Sequence, residues 1–191
     1  MKKLILPTLT VLICALVVAL IPTEKEAAIY EDTVRLHIIA ASDEKEDQEL
    51  KLLVRDEILA EYGVALRGFE SAEDAAENLS SLVENIAKTA TRVATEAGFE
   101  YGAKVSLGKE HYPTREYDGF SLPSGVYTSL IVVLGEGKGK NWWCVMYPPM
   151  CLDACVKECP TGYTSEEYGL ISGGEYRVKF KLLELLSKNF R

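Results

Sequence analysis

Covalent chemistry in this chain would have to start from its five cysteines and two histidines. A cysteine hydrolase needs a thiolate with an imidazole in reach, and Cys144 with His111 is the pairing that the spacing allows. No nucleophile motif surrounds Cys144 or Cys151, and no serine sits in a nucleophile elbow. The abundant acidic residues fall mostly on helix exteriors, where solvation accounts for them. Cys144, Cys151, Cys155 and Cys159 are separated by six, three and three residues. A four-cysteine zinc site usually shows short C-x-x-C knuckles, so disulfides are the preferred reading, with three pairings open. The run Gly135 to Lys140 looks like a phosphate loop but is one residue short, and Asn141 stands where Ser or Thr is needed. It also joins two strands, so no helix N-terminus faces a phosphate. No catalytic set, metal site or cofactor is expected.

The remaining unusual residues suit recognition. Trp142 and Trp143, the only two tryptophans, are adjacent, and in an extended segment their rings point to opposite faces. Pro148 and Pro149 fix φ and remove two amide donors, ending that strand. The elements that position these residues follow from periodicity. Residues 33–40 read as a strand with Val34, Leu36 and Ile38 on one face and Arg35, His37 and Ile39 on the other. A helix follows, with Asp43 and Glu46 as a capping box and Gly63 as its stop. A second starts at Ser71 with Asp74 as box partner and ends at Gly98. Residues 101–107 form a strand, 108–125 a long loop rich in aromatics and prolines, and 126–134 the strongest strand. The last of these should pair with 142–147 as an antiparallel hairpin across the glycine loop. Residues 160–174 read as a linker, and 175–190 as a basic amphipathic helix.

Met1-Lys2-Lys3 followed by the apolar run 4–21 is laid out as a signal sequence and is long enough to span a bilayer. The lysines would keep that end cytoplasmic and place the rest outside, where disulfides persist. A formal net charge of −8 at pH 7 leaves no broad basic face for a nucleic-acid partner. The expected organisation is a signal peptide or anchor plus polar spacer at 1–28, a signalling domain at 29–155, and a linker with a C-terminal helix at 156–191. The expected fold is α+β: a small, mostly antiparallel sheet, two long helices on one face, and terminal helices at both ends.

The stretches 35–59, 112–117, 123–127 and 135–151 occur in the order found in the stage II sporulation protein R family, which this chain resembles over about residues 33–152. The most distinctive match is Asn141-Trp142-Trp143-Cys144 through Pro148, Pro149 and Cys151. The second is Ser42-Asp43, Asp47-Gln48, Lys51 and Val54-Arg55-Asp56. Departures are Ala41, Asp118 and Ser124, with Cys155 and Cys159 as additions. The resemblance implies a protein made in the forespore and exported, secreted or anchored, into the space between forespore and mother-cell membranes. There it would trigger a membrane-embedded aspartic protease, stage II sporulation protein GA, which processes the precursor of sigma factor E. The proteolytic carboxylates would then belong to the receptor. Asn141, Trp142, Trp143, Pro148 and Pro149, stiffened by a Cys144–Cys151 bridge, are expected to form the partner-facing surface together with Arg115 and Tyr117. Residues 4–21 would touch the membrane if retained. The alternative is an exported hydrolase using Cys144 and His111 on cell-wall or peptide substrates.

Overall fold

The strand around which the sheet is built, β1 (Val34–Ile39), is buried along almost its whole length. Val34, Leu36 and Ile38 enter the main core, and Arg35 and His37 are also buried on the opposite face. Both faces of β1 are therefore covered, although the second carries Arg35 and His37 in place of the continuous apolar run usual for such a strand. The computed structural model describes residues 7–8, 10–14, 24–63, 65–117, 119–150, 160 and 162–172. The elements flanking β1 are α1 (Glu24–Glu31) and α2 (Lys45–Ile58). A π-turn at Leu59–Gly63 and a 3-10 turn at Ala65–Gly68 lead to α3 (Ala72–Glu96). Strands β2 (Ala103–Tyr112), β3 (Arg115–Tyr117), β4 (Phe120–Leu122), β5 (Gly125–Leu134) and β6 (Asn141–Tyr147) follow, and then α4 (Ser165–Ser172).

The fold is α+β, but the sheet is mixed rather than mostly antiparallel. Its order is β2-β5-β1-β6, with β1 parallel to β5 and antiparallel to β6, and β2 antiparallel to β5. The expected β5–β6 hairpin does not form, because β1 lies between the two strands. Bridging one intervening strand means covering about 10 Å, which the segment 135–140 does by wrapping the end of β1. Lys138 and Gly139 donate their amides to the Ala41 and Ala40 carbonyls at 3.1 and 2.9 Å. Gly135 and Gly137 take positive φ. Gly139 is needed for another reason: a Cβ there would lie 2.0 Å from the Ser42 carbonyl oxygen. The glycines are thus explained by close passage of backbone over backbone.

Helices α2 and α3 cover one face of the sheet, as expected. Leu50, Val54 and Ile58 of α2 and Ala75, Leu79, Ile86, Ala90 and Ala94 of α3 join the even residues of β1 in one core. Ser71 caps α3 by accepting the Asp74 amide at 3.1 Å, and Gly98 stops it with φ +88°. The start of α2 differs from the expected box. Glu44 is its N-cap without a side-chain bond, while the Ser42 hydroxyl accepts the Glu44 amide and donates to Asp47.

The other face is covered by segments expected to be irregular. The 108–125 loop contains the end of β2 and the β3–β4 hairpin. Residues 24–28 of the expected spacer already belong to α1, and the expected linker contains α4. A Thr164–Glu167 capping box starts α4: the Thr164 hydroxyl accepts the Glu167 amide at 3.2 Å, and Glu167 accepts the Thr164 amide at 2.6 Å. Ile29, Phe120, Leu122, Val145, Met150, Tyr163 and Ile171 form a second, smaller core there. Among the described residues no helix is long and apolar enough to cross a membrane. Most of the expected leader 4–21, and all of the expected helix 175–190, lie outside the described residues.

Candidate functional site

Alternation along β1 places Arg35 and His37 on the face away from α2 and α3, and each is the centre of a polar group. His37 sits opposite Trp143 in register, and their rings stack with centroids 5.5 Å apart. Its Nδ1 lies 2.8 Å from a Glu110 carboxylate oxygen and its Nε2 lies 3.0 Å from Asn141 Oδ1. A histidine oriented by a carboxylate resembles half of a catalytic triad. Here the outer nitrogen is already taken by Asn141, so the ring offers no free site to a substrate proton or a metal.

Above Trp143 lies Arg115, its guanidinium carbon 3.6 Å from the ring centroid, within the distance at which a cation is held by an aromatic face. The result is a layered arrangement of Arg115, Trp143 and His37 beside the exposed Asn141. Trp142 points to the opposite face, as the alternation required, and packs against the main core beneath Arg55, 5.1 Å from the ring centroid. Both indoles are half-buried, each covered by an arginine.

The second motif run holds this strand end in place. Gln48 donates to the Ser42 carbonyl at 2.7 Å and Lys51 donates to the Lys140 carbonyl at 3.0 Å. Tyr101 donates to Asp47. Lys51 is almost fully buried, and burial, the largest influence, lowers its pKa. Ser42, Asp47, Gln48 and Lys51 therefore fix the glycine loop that delivers Asn141 and the tryptophans.

Arg35 is fully buried. Its guanidinium carbon lies 4.0 Å from the Tyr112 ring centroid, 5.0 Å from that of Tyr127 and 5.8 Å from that of Tyr117. Nη2 donates to the Tyr117 hydroxyl, whereas Nε and Nη1 have no hydrogen-bond partner. The other two hydroxyls are engaged elsewhere: Tyr112 with Ser129 at 2.6 Å, and Tyr127 with the Pro123 carbonyl at 2.6 Å. Burial, first among the causes, pushes the pKa of all three tyrosines up, with the Arg35 charge opposing it. Nearby, Asp32 faces the buried Glu167 of α4. Burial first, then the Glu167 charge and a hydrogen bond to Glu167, push the Asp32 carboxyl up to about 6.

The structure therefore brings Asn141, Trp143 and Arg115 together. Trp142 lies on the other face, and Tyr117 turns inward to Arg35. Pro148 is buried and Pro149 half-buried at the far end of β6. Cys144 is buried and disulfide-bonded; Cys151, Cys155 and Cys159 lie outside the described residues. The Cys144–His111 pairing is not assembled. Cys144 is on β6 and His111 on β2, the two outer strands, at least about 14 Å apart across three strand spacings and offset by four residues along the sheet. His111 is exposed, its Nε2 3.4 Å from the Ser124 hydroxyl. Among the described residues no group of three or more His, Cys, Asp or Glu is placed to hold a metal. Reasoning from the sequence missed Arg35, Glu110, Tyr112 and Tyr127. Alternation put Arg35 beside His37, but nothing in it told that the face would be covered.

A family model described as stage II sporulation protein R matches residues 30–157, which include every strand of the sheet. A curated relative, stage II sporulation protein R of Bacillus subtilis (strain 168), is 33% identical over 121 residues. That match covers 63% of this chain and 54% of the relative, so the chain spans about half of the relative's length. No solved structure matches.

Proposed function

The chain belongs to the stage II sporulation protein R family, and from that membership we propose that it is an exported signal of endospore formation. In this reading it acts on a membrane-embedded aspartic protease, stage II sporulation protein GA, which then processes the precursor of sigma factor E. The protein changes no covalent bond itself and works by presenting a shaped surface. The observation that carries this reading is the Arg115–Trp143–His37 stack beside exposed Asn141, held rigid from below by Glu110 and from the side by the loop anchored on Lys51. Such an arrangement is an aromatic–arginine anchor of the kind enriched at interface hot spots. It is also a poor enzyme site, because both nitrogens of its histidine are engaged and no nucleophile among the described residues faces it.

Trp142 serves the surface indirectly by fixing the strand end to the core. Proline residues Pro148 and Pro149 act in the same way, terminating β6. The test is a sporulating strain carrying Trp143→Ala, with export of the variant confirmed. Blocked maturation of the sigma factor precursor is expected; normal maturation on the normal schedule would place the contact surface elsewhere. The hydrolase alternative has no observation in its favour, since Cys144 and His111 stand on opposite outer strands.

A further inference from the structure

We infer that Arg35 is a receptor for a carboxylate, and that the Tyr117 hydroxyl is a placeholder occupying it. A guanidinium has two forks for a bidentate acceptor, and both use the same terminal nitrogen: Nε with Nη2, and Nη1 with Nη2. In this structure Nη2 is held by Tyr117, while Nε and Nη1, the other member of each fork, are unpartnered and buried. Nη2 carries two N–H groups, one for each fork, and the single hydroxyl accepts one of them, so neither fork has a bidentate partner. A buried charge left in that state is costly, and an ionic partner offsets part of that cost. No carboxylate of the described residues is within ion-pair distance of it.

The surroundings select the ligand. The cage walls, Tyr112 and Tyr127, both contact the guanidinium and stand nearly perpendicular to each other with centroids 5.8 Å apart, so an acceptor has to come in from the Tyr117 side. Among the described residues Arg35 is the cation stacked on these tyrosines; Arg115 stacks on Trp143, and its charge reaches the cage only at Tyr117. A single positive charge suits a monoanionic carboxylate better than a phosphate dianion, and a carboxylate matches the fork bidentately. The way in is marked as well. Arg35, Tyr112 and Tyr127 are fully buried, while Tyr117 keeps part of its surface in solvent. Withdrawal of the Tyr117 side chain, which stacks on Phe120 at 4.7 Å, would expose Nη2 to an incoming acid.

This inference does not depend on the protease reading, and its test uses this chain alone. The full chain, labelled with nitrogen-15, is titrated with sodium acetate while the Arg35 Nε–H resonance is followed. Sodium chloride is the control, and the resonance is identified by its loss in Arg35→Lys. Saturable movement with acetate and none with chloride is expected. Tyr117→Phe removes the competing hydroxyl and should bind acetate about tenfold more tightly, the scale of one hydrogen bond to a charged group. Two short peptides, one with a glutamate side chain and an amidated end, the other with only a terminal carboxylate, then distinguish the source of the acid. An Arg35 resonance that stays unmoved by acetate in both wild type and Tyr117→Phe overturns the inference. So does tighter binding in Tyr117→Phe that persists when Arg35 is changed to Gln.

Discussion

Replacing Arg35 with methionine tests whether this residue is kept for the fold or against it. The side chain is fully buried with two nitrogens unpartnered. On the favourable side, the wild type has a guanidinium 4.0 Å from the Tyr112 centroid and 5.0 Å from that of Tyr127. Desolvated cation–π contacts contribute about 2 kcal/mol each. The hydrogen bond to Tyr117 adds about 1.5 kcal/mol. Against these stands the removal of a charged group from water, which costs several kcal/mol without an ionic partner. Methionine fills a similar volume and packs its sulfur on aromatic edges for about 0.3–1.5 kcal/mol. The opposing sums nearly cancel, so Arg35→Met should stay within about 1 kcal/mol of wild type or exceed it. Arg35→Ala, which leaves a hole, should lose about 3 kcal/mol or more. Urea unfolding, extrapolated linearly, measures both. If Arg35→Met proves as unstable as Arg35→Ala, the guanidinium is a structural element and the argument that it is held in reserve is wrong.

Other outcomes follow from single contacts. Gly139→Ala puts a methyl 2.0 Å from the Ser42 carbonyl oxygen and should cost about 3 kcal/mol, at the upper end of overpacking, in a thermal or urea melt. Gly68→Ala, with nothing within 4 Å of the added atom, is the control and should be neutral or slightly stabilising. The Asp32 carboxyl, pushed up to about 6 from 3.8, binds a proton more tightly in the folded chain than in the unfolded one. Its contribution is therefore complete below the unfolded value and is lost as pH rises through about 6. Limited proteolysis within α4 should accordingly speed up across that window in wild type and stay level in Asp32→Asn, which removes the titrating carboxyl and leaves the Thr164–Glu167 cap in place. In an activation assay, Arg115→Ala should weaken signalling less than Trp143→Ala, because it removes the cover but leaves the indole on His37.

Local order was readable from the chain wherever periodicity was strong and capping chemistry explicit. The bounds of α3 follow from Ser71 and Gly98, and the face assignments of Trp142 and Trp143 follow from strand alternation. Strand order was not readable, because the run Gly135 to Lys140 has the composition of a hairpin turn. Only the passage of Gly139 over Ser42 reveals that it straddles β1. The parallel pairing of β1 with β5 joins residues about a hundred positions apart, which no local pattern records. The Thr164–Glu167 box was legible, but the surrounding Gly, Ser, Thr and Tyr read as linker. Arg35 was hidden for a different reason: an arginine on a strand is expected to reach solvent, and here three tyrosines from β2, β3 and β5 enclose it.

The most direct measurement is dose-dependent reconstitution of the membrane protease with its sigma factor precursor and the purified full chain. Cleavage should rise with added chain and level off at a fixed ratio of chain to protease, as binding requires. With Trp143→Ala the curve should move to about thirtyfold higher concentration, the loss of one hot-spot residue. Cleavage that proceeds at the same rate without the chain, or that is unchanged by Trp143→Ala, would contradict the account.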